Sequence, residues 1–240
     1  MTESAEQPHE GAAPLPADPA GLRLSLSVET WPARLAGRAA EEWTLLARYE
    51  RPRLGQLSSR TGFGADLEHV GIVSMRRVPL VRGVVAPDVF EELVGVVGEP
   101  ALDQAVLTAV AEQVFTRRGG EHRLVPGVRE VLGRGPRADL GDLLLVGNFS
   151  VSTDWAVQDL DLLLLGEALG RAAAVTGACF VATAPSCLRA SQGSRQVLSA
   201  LNRVGFRALA GHVMVATGTG LPRMAGPGWQ APAWRYRTAP

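Results

Sequence analysis

The chain is poor in cysteine, in net charge and in long apolar runs, and each scarcity excludes something. Its two cysteines, Cys179 and Cys187, lack a Cys-x-x-Cys spacing and its four histidines are scattered, so the metal expectation is none. Cys179 lies in an apolar run and reads as a buried, inert thiol. Basic and acidic residues balance at 24 each, leaving no field to draw the chain to nucleic acid or an anionic membrane. No apolar run reaches the roughly 18 residues of a spanning helix. A basic stretch followed by an apolar one is missing at the amino end, so a cytoplasmic location is expected.

What is present is material for a core. The 240 residues are 46% hydrophobic, enough for one domain of ordinary size. The basic residues are arginines and Ala, Gly, Val and Leu are plentiful, a bias of a high-GC genome and its codons. Residues 1–20 are Pro- and Ala-rich without apolar periodicity and read as a disordered tail. Residues 218–240 hold Trp229 and Trp234 among glycines and prolines and read as a second tail. A single domain is expected over residues 21–217.

Residues 22–29 alternate leucine with polar residues and predict a half-buried strand. Residues 36–49, with Trp43, Leu45 and Leu46 among charges, predict a helix ended by Pro52. A strand follows over residues 69–84, its far half weakened by Pro79. Helices are expected over residues 87–97 and 103–117, then a loop-rich, basic stretch to residue 140 with a short helix near Val128. From there the order is strand 143–151, helix 162–175, strand 178–183, helix 195–204 and strand 212–217. Ser194 suits an N-cap, and Gly205 suits the left-handed residue past a helix end. Alternating strands and helices predict an α/β or α+β fold, with a parallel crossover between strands 143–151 and 178–183.

Residues 141–206 run DLLLVGNFSVS, TDWAVQDLD, LLLLGEALGRAAAVTG and ACFVATAP, then SRQVLSALNRVGF with its closing Gly-Phe pair. This layout resembles the acyl-CoA-binding half of the GNAT N-acetyltransferase superfamily, and also a group of actinobacterial GNAT-like proteins. The resemblance covers roughly residues 70–217. It implies a GNAT-like mixed central sheet flanked by helices, here with an N-terminal strand-helix extension. It also implies acetyl-CoA or another acyl-CoA as cofactor, with a small-molecule or protein amine as acceptor. In that family the central strand splays from its neighbour and offers backbone to pantetheine, which here implicates Phe149, Ser150 and Val151. The next turn carries Arg/Gln-x-x-Gly-x-Gly/Ala, because glycine lets backbone approach the pyrophosphate at a helix N-terminus.

Leu164-Leu165 and Ala168-Leu169 act as a ruler along the helix and put the two glycine positions on Asp159 and Asp161, flanking Leu160. The basic or Gln position falls on Ala156, with Gln158 two residues on. Carboxylates thus stand where phosphate-binding glycines are expected, and altered or lost acetyl-CoA binding follows. The two aspartates read equally as caps of the helix. Many family members carry a Tyr general acid four residues before the Gly of Gly-Phe; here that position is Leu201, beside the neutral Asn202. Strand 143–151 holds no Glu, Asp or His, which leaves Asp154 as the nearest base. Arg76-Arg77 and Arg117-Arg118 are candidates for a nucleotide phosphate or plain solvated pairs, and Cys187 for a nucleophile or a surface thiol. The rival reading is a catalytically silent GNAT-fold ligand-binding or protein-interaction module.

Overall fold

A computed structural model describes residues 14–30, 41–50, 67–94, 102–133, 141–157, 160–178, 180–184, 198, 201–209, 213–217 and 237. A 3-10 turn, Pro19–Gly21, is capped by the Asp18 side chain and leads into β1 (Leu22–Thr30), the expected alternating strand. β2 (Glu41–Glu50) pairs antiparallel with all of β1. This strand replaces the helix expected over residues 36–49. Trp43, Leu45, Ala47 and Tyr49 are buried with a period of two, and the adjacent Leu45 and Leu46 lie on opposite faces of the sheet. The amino-terminal extension is therefore a strand pair.

β3 (Leu67–Val78) stops at Pro79, which cannot donate to a ladder. A small hairpin, β4 (Leu80–Val81) and β5 (Val84–Val85), leads into α1 (Pro87–Val94). Next come α2 (Leu102–Val114) and a hairpin of β6 (Phe115–Arg118) and β7 (Glu121–Leu124). The sequence predicts a helix running on to residue 117 and loop from there to the short helix near Val128. The hairpin forms because Gly119 and Gly120 both take positive φ, 61° and 85°, which a two-residue turn between strands demands. α3 (Pro126–Val131) follows, near the expected short helix. Then come β8 (Leu143–Val151), α4 (Leu160–Thr176), β9 (Phe180–Thr183), β10 (Arg207–Ala208) and β11 (Met214–Thr217). The helix expected over residues 195–204 is described only at Leu198 and Leu201–Arg203. Its end is a Schellman closure: Phe206 N–H donates to Leu201 O at 2.9 Å and Gly205 N–H to Asn202 O at 3.1 Å, with Gly205 at φ 95°.

The fold is mixed α/β. A seven-stranded sheet runs β1-β2-β3-β8-β9-β11-β10, antiparallel except for the parallel β8–β9 pair that α4 bridges. A four-stranded antiparallel sheet runs β4-β5-β7-β6. One face of the large sheet packs on α4 and the 201–206 closure, burying Leu165, Ala168, Leu169, Ala172, Val204 and Phe206 against Leu45, Met75, Leu144 and Val181. The opposite face packs on α1, α2 and α3, where Val89, Leu93, Val110, Val114 and Val128 meet Leu143, Leu145, Phe180 and Val215.

Two bulges shape the sheet. Val70 of β3 has no partner in β2, and Gly147 of β8 has none in β3. Each extra residue is absorbed locally, so Phe149 remains on the α4 face with Leu144 and Val146. Residues 14–20, expected in the disordered tail, belong to the fold. Leu15 is wholly buried in a third cluster with Tyr49, Val70, Trp155, Leu160 and Leu164, and its carbonyl accepts the Arg237 N–H at 2.9 Å. Apolar contact outweighs the Pro- and Ala-rich composition there. Residues 1–13 and the rest of the C-terminal tail lie outside the described residues.

Candidate functional site

The ladder between β8 and β9 is short, because β9 ends at Thr183 while β8 runs on to Val151. Leu143, Leu144 and Leu145 pair with Phe180, Val181 and Ala182, and the ladder ends there. The Thr183 hydroxyl, fully buried, donates to the Val146 carbonyl at 3.2 Å and closes the paired part. Residues 146–151 of β8 have no ladder partner on the β9 side among the described residues, although β3 pairs them on the other side except at the bulged Gly147. The bend that a bulge imposes falls at Gly147, two residues past the last pair of the β8–β9 ladder. Among the described residues no strand pairs with the β8 backbone beyond it on that side, the side to which an extended, amide-bearing ligand would add.

The turn from β8 into α4 is held from beneath. Ser152 N–H donates to Val70 O at 2.7 Å, and Ser152 O accepts from the N–H groups of Trp155 and Ala156. Trp155 is fully buried; its ring sits 5.3 Å from Tyr49 and its Nε1–H donates to Glu68 Oε1 at 3.1 Å. The sequence reading passes over both Trp155 and Glu68, which lie 87 positions apart. The only signal available was a tryptophan in an otherwise polar turn.

Most of the expected cofactor positions cluster around this turn. Phe149 faces α4 and is buried, Ser150 is half-buried opposite Ile72, and Val151 is half-buried opposite Gly71. Leu160 is fully buried in the third cluster, so its side chain is spent on packing. Asp161 opens α4, and its Oδ1 accepts the Leu162 N–H at 2.9 Å. A side-chain carboxylate therefore lies in the first turn, at the positive end of this helix, although Asp161 is the second residue of α4 and not its N-cap. Gln158 and Asp159 lie outside the described residues, as do Cys179 and Cys187.

The candidate proton-transfer groups share no hydrogen bond. Asp154 is exposed on the turn and Asn202 is exposed in the closing helical turn. Leu201, at the general-acid position implied by the resemblance, is buried in the main core. Arg77 is engaged elsewhere. Its Nε and Nη2 donate to Asp142 Oδ2 at 2.8 and 2.6 Å, and Nη1 reaches both Glu41 oxygens at 3.2 Å. Burial disfavours the Arg77 cation, but the hydrogen bonds and charges of Asp142 and Glu41 outweigh it and raise its pKa. Asp142 Oδ1 also accepts the Leu80 N–H at 3.1 Å, so this cluster ties β2, β3 and the start of β8 together. Arg76 lies 3.9 Å from Glu42, which leaves neither arginine of the pair uncommitted for a phosphate. Arg117 and Arg118 are exposed on β6.

Among the described residues no group of three or more His, Cys, Asp or Glu side chains could hold a metal ion, and no helix is long and apolar enough to cross a membrane. Comparison with protein-family models, with curated proteins and with solved structures gives no match.

Proposed function

We propose that this protein is a GNAT-like, acyl-CoA N-acyltransferase-related protein whose acetyl-CoA binding is altered or lost. The observation that carries the reading is the short β8–β9 ladder, three paired residues long, which ends ahead of a turn and a helix N-terminus. A splayed central strand is what the resembled family uses to receive pantetheine. The main chain of Phe149, Ser150 and Val151 would take that role here. An amine, carried by a small molecule or a protein in the cytoplasm, would be the acceptor, with Asp154 acting as base through water.

The pyrophosphate seat is where the chain departs from the family. Asp161 turns its carboxylate to the first turn of α4, and Leu160 is packed inward. A carboxylate about 4–5 Å from a phosphate costs on the order of 1 kcal/mol in water and several at an effective dielectric near 20. A second reading, a catalytically silent GNAT-fold module that binds another ligand or a protein, is favoured by the buried Leu201 in the general-acid position.

Isothermal titration with acetyl-CoA tests the proposal. Weak or absent heat at millimolar cofactor is expected, and micromolar binding would overturn the altered grip. The Asp159→Gly/Asp161→Gly double variant should bind acetyl-CoA more tightly than the parent. If it does not, the aspartates are not what distinguishes this seat.

A further inference from the structure

The sheet ends differently on its two sides. On one side is β10, two residues long, the kind of short edge that resists pairing with another chain. On the other is β1, nine residues with no strand on its outer side among the described residues. At about 3.4 Å per residue its edge runs some 30 Å. Sheets usually blunt so long an edge with proline, lysine or a bulge. β1 has none of these: its sequence is LRLSLSVET, and its register with β2 is unbroken.

The sequence of this edge is self-complementary. In an antiparallel pair centred on Leu26, each residue faces the one equally far on the other side of that centre in the second copy. Residue 22 (Leu) then faces residue 30 (Thr), Leu24 faces Val28, and Ser25 faces Ser27. Residue 23, the only basic position of the strand, faces residue 29, its only acidic one, and this pairing occurs twice. Inside the terminal Leu–Thr pairs, apolar meets apolar, hydroxyl meets hydroxyl, and opposite charges meet. Centring on Ser25 or Ser27 loses the charge pairing, and shifting the centre by half a residue puts Arg23 opposite Val28 or Thr30. Exposure agrees: Val28 is 45% exposed, and Leu24 and Leu26 are only partly buried.

We infer that β1 is the homodimerisation edge of this protein, pairing antiparallel with β1 of a second copy about a two-fold axis through Leu26. Roughly eight to ten main-chain hydrogen bonds would form across the axis. The two large sheets become one, with both α4 helices on the same face, because a two-fold perpendicular to the sheet preserves its faces. This inference is independent of any cofactor.

The test is the mass of the full chain by light scattering after size exclusion, across a dilution series. A dimer of twice 25.4 kDa is expected at the upper end. Arg23→Glu and Glu29→Arg each set like charges opposite one another at two places and should each weaken dimerisation roughly tenfold. The double variant, which exchanges the two charges, should return the dissociation constant to within about threefold of the parent. Arg23 also bonds Glu50 within its own chain, so Glu50→Gln serves as a control and should leave dimerisation unchanged. A mass of 25.4 kDa at every concentration overturns the inference. So does a dimer that ignores the single reversals, or one that the exchange fails to restore.

Discussion

Replacing Trp155 by alanine removes the anchor beneath the β8–α4 turn, and the cost can be worked from its contacts. The side chain is fully buried, so its loss combines transfer and cavity terms of about 3–5 kcal/mol. Trp155→Phe separates the pieces in part, because it retains a ring against Tyr49 and gives up the N–H to Glu68 together with the volume of the second ring. A hydrogen bond to a charged acceptor contributes about 1.5–3 kcal/mol. Glu68 is half-buried and water can replace part of that, so the hydrogen bond accounts for about 1–2 kcal/mol of the phenylalanine variant's loss, to which the lost ring volume adds a cavity term. Urea denaturation followed by far-ultraviolet circular dichroism is the suitable assay, since the chain's five tryptophans would mix in fluorescence. A cycle with Glu68→Gln should return a coupling near 1 kcal/mol. An alanine variant within about 1 kcal/mol of the parent would refute the anchoring role.

Two further outcomes follow from buried polar contacts. Thr183→Val leaves the Val146 carbonyl without its hydroxyl donor and should cost about 1–2 kcal/mol in denaturation, while Thr183→Ser restores most of it. Arg77→Met leaves Asp142 and Glu41 without their shared cation. The expected loss in a thermal or urea melt is about 1–3 kcal/mol, held down by the partial exposure of all three side chains. The folded-state pKa of Arg77 is raised. Its stabilisation is therefore fully present below the ordinary guanidinium value and fades only as pH rises past it, so the gap between parent and variant should not narrow from neutral to mildly alkaline pH.

The sequence announced elements wherever apolar periodicity ran without competition. β8 reads LLLVGNFSV and α4 opens LDLLLLGEAL, and both were legible because burial on two faces leaves few polar interruptions. β2 was misread because Leu45 and Leu46 are adjacent and their neighbours charged, a pattern that fits a helix locally. Pairing with β1 and β3 decided for a strand. The β6–β7 hairpin was signalled by Gly119-Gly120 but masked by the helical run ahead of it. At the site, the helix N-terminus and its Asp161 were legible. The end of the β8–β9 ladder was not, because it depends on where two strands 37 positions apart stop pairing.

The bulge at Gly147 separates two properties that a strand normally fixes together. Which side chains face α4 is an alternation, and where the strand points is a curvature. A strand lacking this one residue would still turn Leu144, Val146, Phe149 and Val151 toward α4, because removing the unmatched position restores a plain alternation. Only the bend would go. The curvature is thus written in a single backbone unit with no side chain of its own, and it could be gained or lost without altering the composition of either face.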